Sequence, residues 1–410
     1  RLHLVQRCGQ VLFVDQRFVA MMSYTGRLIQ TVCLAVLMLG NMVALFPSKR
    51  VLAQHLKVRL IEKLVIGDDE SKPAEYLLGG LQHAGTDSQG NIYLADHPRA
   101  DVKVFNREGT YVTTIGKRGQ GPGEIQEVTS MLVTTGGDLL IVDRMNLRVT
   151  RFSEMGARME MYSLPEKSFI SPTIIRSLGP TQYALYYRIL SSMSNNDVIH
   201  LYADDFATVE GSLAPLDEIW DLEVPFLRAI AGNPRGARMA TLGANRVYIA
   251  PYVYHGVIYQ YDRQGSEWHL TRLPGTKLPY APYKLQPTKS GSYPRRAAWR
   301  INGPGGRFVA TIRHSSRGLF ALQDGRLVHF TVRFEGEDEL DDAYLDVEVF
   351  DSNGTFIGSG PVLNMEPFGN DEQPIIEVLW RDENDRFYLT DHRGGFPVLR
   401  VMRLEYKVEK

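Results

Sequence analysis

The chain has 410 residues and is almost electrically neutral, with 46 Lys and Arg residues against 47 Asp and Glu residues. No global field therefore attracts nucleic acid or an anionic membrane surface, and we expect neither partner. The two cysteines, Cys8 and Cys33, lie near the start of the chain. The remainder offers neither a disulfide framework nor a cysteine-ligated metal site.

The first 53 residues have the pattern of an export signal. Arg27 precedes an apolar run over residues 28–46, and residues 51–53 fit cleavage by signal peptidase after Ala53. We expect translation to begin at Met21 or Met22, so that residues 1–53 are an upstream extension plus a signal peptide. The alternative is an uncleaved membrane anchor, because the apolar run approaches spanning length. The pattern predicts export to the periplasm or the exterior, with no membrane contact after signal cleavage.

Residues 116–124 contain four glycines and a proline in nine positions. Gly loses the most entropy inside a helix or strand, and Pro lacks the backbone donor that either element needs. The stretch is therefore predicted to be a tight connector between the β-rich units on either side.

Two copies of one pattern flank this connector. Four landmarks recur 47 residues apart: Gly90 and Gly137, Asp96 and Asp143, Phe105 and Phe152, Gly109 and Gly156. A period of this size is typical of propeller blades. Fainter copies occur at residues 182–212, 245–265, 345–358 and 384–404, which gives six units after residue 80.

Each unit contains short β-type runs separated by turn residues, which fits a four-stranded antiparallel meander. Six such sheets arranged radially close a ring and leave only short, protected edges. We predict an all-β fold: a six-bladed β-propeller of four-stranded antiparallel blades over residues 54–410, preceded by the N-terminal signal segment. Residues 55–60 form an early strand that we expect to pair with the last blade. The insertions at residues 213–234 and 273–296 have no assigned structure.

Residues 81–156 resemble the NHL-type repeat of six-bladed propellers. The match rests on the turn at residues 87–90, Ala95-Asp96, Val104-Phe105, Gly109 and the connector at 116–124. The whole chain also resembles secreted six-bladed propeller proteins of bacteria, most of uncharacterised role. This resemblance implies the fold strongly and the function hardly at all.

In a meander of strands A to D, the B–C turns and the D–A connectors emerge on one face of the ring, which we call the B–C/D–A face. Loops on a rigid scaffold commonly carry binding sites, so this face is the candidate surface. The predicted B–C turns are residues 97–100, 144–147, 191–196, 252–256, 335–343 and 392–396. The candidate binding residues lie in these turns: His97, Arg99, Arg144, Asn146, Tyr252, Tyr254, His255, His392 and Arg393.

Two interpretations apply to Asp96-His97 and Asp391-His392, which occupy the same slot in two blades. Together with His255 and His314 they could bind zinc or a similar ion in a central channel. Alternatively, the repeated Asp hydrogen-bonds turn backbone and the His is an ordinary loop residue. No H-x-H or H-E-x-x-H spacing supports a metal site, so no cofactor is predicted, with calcium or zinc as the alternative. The acidic run at residues 335–342 lacks the order of a calcium loop and is interpreted as a solvated loop.

The sequence contains no G-x-S-x-G elbow, no P-loop and no dinucleotide fingerprint between a strand and a helix. We therefore predict an exported, monomeric, non-enzymatic scaffold that binds a protein, peptide or glycan on the B–C/D–A face. The alternative is a lactonase-like, metal-dependent hydrolase or a lyase with a cation in the central channel. A membrane-tethered sensor is a third possibility if the leader is not cleaved.

Overall fold

The computed structural model describes residues 3–7, 10–14, 54–67, 71–164, 172–187, 197–231, 236–287, 298–303, 306–336, 342–367, 376–392 and 396–409. The chain divides into two compact units, Arg1–Leu52 and Ala53–Lys410. In the first unit, β1 (His3–Arg7) and β2 (Gln10–Val14) form an antiparallel hairpin. The predicted apolar run and cleavage site, residues 28–53, lie outside the described residues.

The second unit begins with β3 (Gln54–Ile66) and continues as a series of antiparallel sheets. Blade 1 consists of β4 (Leu81–Thr86), β5 (Ile92–Asp96), β6 (Asp101–Phe105) and β7 (Tyr111–Ile115). The short strands β8 (Lys117–Arg118) and β9 (Glu124–Ile125) lie in the connector. Blade 2 consists of β10 (Val128–Val133), β11 (Leu139–Asp143), β12 (Arg148–Ser153) and β13 (Arg158–Ser163). Blade 3 consists of β14 (Pro172–Ser177), β15 (Gln182–Tyr187), β16 (Asp197–Ala203) and β17 (Val209–Pro215).

The remaining blades follow after two insertions. Blade 4 consists of β18 (Ala237–Leu242), β19 (Arg246–Pro251), β20 (Val257–Gln264) and β21 (Glu267–Pro274). The insertion before blade 4 contains two helices, α1 (Leu216–Ile219) and α2 (Pro225–Ala231). The insertion after it is a small sheet of β22 (Tyr283–Pro287), β23 (Ala298–Gly303) and β24 (Gly306–Ile312), in the order β22-β24-β23.

Blade 5 consists of β25 (His314–Ala321), β26 (Leu327–Phe334), β27 (Ala343–Phe350) and β28 (Phe356–Pro361). Blade 6 consists of β29 (Ile376–Arg381), β30 (Arg386–Asp391), β31 (Val398–Val408) and the early strand β3. Short 3-10 turns occur at Ala74–Tyr76 and Glu154–Gly156. In the described part of the chain, no helix has the length and apolar character needed to cross a bilayer.

The first strand of each blade faces the centre of the ring. Strands β4, β10, β14, β18, β25 and β29 contact one another in that order, and β29 contacts β4 again. The ring is therefore closed, which confirms the predicted six-bladed β-propeller of four-stranded antiparallel blades.

Strand β3 latches the ring as predicted. It pairs antiparallel with β31, from Leu56 opposite Val408 to Ile66 opposite Leu399. At its start it also pairs in parallel with β28, so blades 5 and 6 form one continuous sheet. A Cβ atom on Gly360 would lie 1.9 Å from the carbonyl oxygen of Leu56, so glycine is what allows the two backbones to come this close.

The core is distributed between the blades. Six clusters of buried apolar side chains lie at the six boundaries between neighbouring blades, because each blade buries both of its faces. One pair from each boundary illustrates the series: Tyr93 and Met131, Val142 and Tyr202, Leu201 and Met239, Ala250 and Leu319, Leu345 and Phe387, Leu399 and Leu94. Stability therefore depends on all six boundaries being closed.

The glycine-rich stretch at 116–124 connects blades 1 and 2, as predicted. Gly116 has a φ of 77°, and a Cβ atom there would lie 2.4 Å from Cδ1 of Ile125. Side chains of blade 2 hold the connector in place by hydrogen bonds: Asn146 Nδ2 donates to the carbonyl of Gly119 at 3.1 Å. Arg148, at the start of β12, donates to the carbonyl of Gly121 at 2.9 Å.

Candidate functional site

The B–C turns at residues 97–100, 144–147 and 252–256 connect the second and third strands of blades 1, 2 and 4 at the positions predicted. The predicted turn at 191–196, most of those at 335–343 and 392–396, and the candidate residue Arg393 lie outside the described residues.

In blades 1 and 2, the repeated Asp at the end of strand B joins the B–C turn to the connector that precedes the blade. Asp96 accepts hydrogen bonds from the backbone N–H groups of Gly79 and Gly80 at 3.0 and 3.1 Å. Asp143 accepts one from the N–H of Gln126 at 2.9 Å. Both carboxylates are buried. Their oxygens accept mainly from backbone N–H groups of the connectors. The bond to turn backbone expected from the sequence occurs in blade 2, where Asp143 accepts from the N–H of Asn146 at 3.2 Å.

Three candidate residues in blades 1 and 2 lie on this face. Arg144 forms an ion pair with Glu127 at 2.6 Å, and Asn146 Nδ2 donates to Asp143 Oδ2 at 2.7 Å. Arg99 has a side chain that is 45% exposed. Arg144 and Asn146 therefore hold turns and connectors in place, and Arg99 is the more accessible of the two arginines.

The candidate histidines are spread around the ring. His392 Nε2 lies 2.9 Å from Thr390 Oγ1. His97 Nδ1 is buried and has no hydrogen-bond partner in the described structure. His314 is buried in blade 5. Within the residues placed by the structure, no three His, Cys, Asp or Glu side chains are grouped as ligands for one metal ion.

The turn of blade 4 places its three candidate residues differently. Tyr252 is half-buried, and the guanidinium groups of Arg238 and Arg317 lie 5.7 and 5.5 Å from its ring centroid. Tyr254 is fully buried, so it contributes to the interior between blades 4 and 5. His255 is exposed. Tyr252 is thus the candidate residue that lies against the charged groups of the inner strands.

A cavity of about 140 Å³ lies at the centre of the ring. All six inner strands contribute to its wall, through residues that include Gln82, Thr129, Thr173, Arg238, Phe320 and Glu377. Each inner strand begins at a D–A connector, so its first half is the end nearest the B–C/D–A face. In most blades the residues that line the cavity belong to this first half. The cavity therefore lies towards the B–C/D–A face.

Irregular pairing brings side chains of the inner strands to this cavity. Five of the six inner strands have a one-residue register shift against strand B, at Gln82, Thr129, Thr173, Arg317 and Leu379. A β-bulge redirects side chains and is frequent next to functional sites. This feature recurs from blade to blade although the residues at the shifts differ.

Four charged residues of the inner strands form what we call the channel cluster: Arg176, Arg238, Arg317 and Glu377. Arg176, Arg238 and Glu377 line the cavity, and Arg317 joins them through its ion pair with Glu377. Glu377 lies between two of the arginines. Its Oε1 accepts from Arg317 at 2.7 Å and its Oε2 accepts from Arg238. With three guanidinium groups and one carboxylate, the cluster is positively charged.

Arg176 is the arginine of the cluster that pairs with no carboxylate in the described structure. Its Nε donates to the carbonyl of Met239 at 3.1 Å and its Nη1 to the carbonyl of Ile175 at 2.8 Å. Burial, and then the neighbouring charge of Arg238, lower the pKa of Arg176 to about 10. The group remains protonated at neutral pH and carries an uncompensated charge.

The residues of the channel cluster were not among those predicted from the sequence. A signal was present, since each of these residues interrupts an apolar or small-residue run in a first strand, as in Ile174-Ile175-Arg176. Recognising it would have required knowing which strand of each unit is innermost and which side chains face the lumen.

A second polar group is buried in blade 5. Ser316 Oγ lies 2.9 Å from His329 Nε2, and His329 Nδ1 lies 2.9 Å from Glu348 Oε2. This order resembles the connectivity of a hydrolytic triad. All three side chains are fully buried, however, and Ser316 Oγ donates to the carbonyl of Pro251 at 2.8 Å. We call these three residues the buried triad and interpret them as a structural network, because a nucleophile must reach both substrate and oxyanion donors.

Comparison with known proteins supports the fold. The model of a protein family described as a 6-bladed beta-propeller matches residues 76–174. Comparison with curated proteins gave no match. The NHL-type assignment of the repeats stays a prediction.

Three solved structures illustrate the structural likeness. A member of the DUF4221 family from Bacteroides vulgatus has a TM-score of 0.51 at 11% identity, over 86% of this chain and 99% of that one. A protein from Bacteroides fragilis, described as exported, has a TM-score of 0.50 at 11% identity, over 87% and 96%. A gluconolactonase from Xanthomonas campestris has a TM-score of 0.45 at 12% identity, over 80% and 87%. At identities this low, the two Bacteroides structures show a shared fold and nothing of the activity.

Proposed function

We propose that this protein is an exported β-propeller that binds a protein, peptide or glycan on its B–C/D–A face without converting it. The observation that carries the proposal is the positively charged channel cluster, which lies towards this face with Tyr252 beside it. Guanidinium groups and a tyrosine ring are groups that binding surfaces favour. Export and a monomeric state remain part of the proposal, and the apolar run at residues 28–46 supports export.

The charge of the cavity favours ligand binding over the metal-dependent alternative. A cation in the channel would need carboxylate, imidazole or carbonyl ligands around it. Here Glu377 is engaged by Arg238 and Arg317, and Arg176 adds a third positive charge. Nearby positive charges would repel a divalent ion. A lactonase-like hydrolase or a lyase remains the alternative function.

Elemental analysis of the chain purified without chelator distinguishes the two functions. We expect no metal in stoichiometric amount. One calcium or zinc per chain, lost in the His97→Ala/His392→Ala double variant, would instead support the hydrolase or lyase.

Arrays of glycans and peptides then test binding directly. Tyr252→Ala should weaken retention of the bound class about tenfold or more, because it removes the aromatic surface beside the channel cluster. Tyr162→Ala is the matched control. Tyr162 also lies against an arginine, with Arg151 5.5 Å from its ring centroid, but it belongs to the outer strand of blade 2, away from the cavity. Equal losses in the two variants would contradict the proposed surface.

A further inference from the structure

We propose that the central channel binds the oxyanion group of the ligand, a carboxylate, phosphate or sulfate, with Arg176 as its principal contact. This inference rests on the proposed function, because it assigns the chemistry of the group that enters the channel. A free small anion and an anionic group on a glycan or peptide share this chemistry, and the test below separates carboxylates from phosphates and sulfates.

Arg176 has donors available for such a group. A guanidinium carries five N–H groups in a planar fork. One on Nε and one on Nη1 serve the carbonyls of Met239 and Ile175. The three others have no acceptor in the described structure and can bind two oxygens of one anion. Backbone carbonyls on two inner strands fix the orientation of the fork, so little side-chain entropy remains to be lost on binding.

The other members of the channel cluster prevent Arg176 from being neutralised by the protein itself. Glu377 is the carboxylate among the residues lining the cavity, and both of its oxygens bind arginines, Oε1 to Arg317 and Oε2 to Arg238. The other titratable residue of the lining is His83. Arg176 is only partly exposed, and a partly desolvated charge without a counter-ion is unfavourable. An anion bound beside Arg176 would remove this cost.

Thr173 is a second, independent indication of a ligand at this place. Its side chain lines the cavity, is 5% exposed, and its Oγ1 has no hydrogen-bond partner in the described structure. It also occupies the register shift of β14, on the same strand as Arg176. Buried hydroxyls are normally hydrogen-bonded, and an oxyanion held by Arg176 is an acceptor that Thr173 can serve.

The size of the cavity fits a compact group. A water molecule needs about 10–15 Å³ of such space, and the cavity has about 140 Å³. A carboxylate, sulfate or phosphate therefore fits, together with part of the ligand that carries it. The rest of a larger ligand would extend past Tyr252 to the B–C/D–A face.

Calorimetric titration with sodium phosphate, sulfate, acetate and glucuronate, at constant ionic strength in chloride, tests the inference. We expect at least one of these anions to bind the wild-type chain, and Arg176→Gln to weaken that binding about tenfold or more. Arg272→Gln is the control, because it removes the same charge from an exposed position on the outer strand of blade 4. Arg176→Lys keeps the positive charge but loses the planar fork of donors. Its affinity for the anion should therefore lie between those of the wild type and of Arg176→Gln.

The folded state of Arg176→Gln is checked by its thermal midpoint without anion, which should equal or exceed that of the wild type. Preference for acetate and glucuronate identifies a carboxylated ligand, and preference for phosphate and sulfate identifies a phosphorylated or sulfated one. Absence of binding by all four anions, or unchanged affinity in Arg176→Gln, overturns the inference. If none of the four anions binds the wild-type chain but Tyr252→Ala still binds the array ligand more weakly than the wild type, only the oxyanion assignment is wrong.

Discussion

Deleting residues 54–65 is expected to prevent stable folding of the propeller. Strand β3 contributes Leu56, Val58 and Leu60, all buried in the core between blades 5 and 6. Burying each such side chain contributes about 1.5–3 kcal/mol, and a typical domain is stable by only about 5–15 kcal/mol. The deletion also leaves the outer edge of β31 unpaired, because that strand bonds to β3 along most of its length.

Thermal unfolding followed by near-ultraviolet circular dichroism measures this effect. The deletion should remove the cooperative transition or lower its midpoint by tens of degrees. Lys57→Ala/Arg59→Ala is the matched control on the same strand, since both side chains are exposed, and it should change the midpoint little. An unchanged midpoint in the deletion would show that β3 is not the latch.

Glu348→Ala is expected to destabilise the protein by about 1–3 kcal/mol for each of the two buried donors that it leaves without an acceptor. The Glu348 carboxylate accepts from His329 at 2.9 Å and from the backbone N–H of Thr276 at 2.7 Å. Burial by itself would raise the pKa of this carboxyl, but the hydrogen bond and the charge of His329 lower it to about 2. Denaturant unfolding at pH 7 measures the loss.

Glu405→Ala is the matched control, because Glu405 pairs with Arg403 on the surface and exposed pairs contribute about 0–1 kcal/mol. The effect of Glu348→Ala should also depend on pH. A carboxyl whose pKa is lowered by folding stabilises above its unfolded value of 4.5, and that contribution is lost as the pH falls towards 2. The difference between wild type and variant should therefore shrink below pH 4.5. A difference that stays constant would contradict the assigned charge state.

The predictable part of this structure is the part that repeats locally. Asp87 accepts hydrogen bonds from the N–H groups of Gln89 and Asn91, and Asp351 repeats this with Asn353. Such turns need particular residues at particular offsets, so they leave a period in the sequence. This period made it possible to predict the number of blades, the positions of the B–C turns and the role of the connector at 116–124.

The insertions could not be predicted for a different reason. Helices α1 and α2 have four and seven residues, too few for a helical period to stand out. The sheet of β22, β23 and β24 has no counterpart in the described parts of the other units. Blade 5 was recognised only by its outer strands, because Arg317 and Gly318 disturb the alternation of β25 at its register shift.

The channel cluster depends on information that a single strand does not contain. A shift of one residue moves a side chain to the opposite face of a strand, and five inner strands have such a shift. Whether Arg176 faces the lumen or a neighbouring blade is therefore decided by pairing in three dimensions. Tyr252 was chosen for its place in a turn, and its contact with Arg238 and Arg317 emerged only from the fold.

The most direct test of the central claim is anomalous diffraction from crystals of the full chain grown with sodium selenate, a tetrahedral oxyanion with a strong selenium signal. We expect one selenium peak in the central cavity, with selenate oxygens within hydrogen-bond distance of Arg176 and Thr173, and we expect this peak to be lost in Arg176→Gln crystals. A cavity that holds only water, or selenium peaks confined to surface arginines at the same selenate concentration, would contradict it.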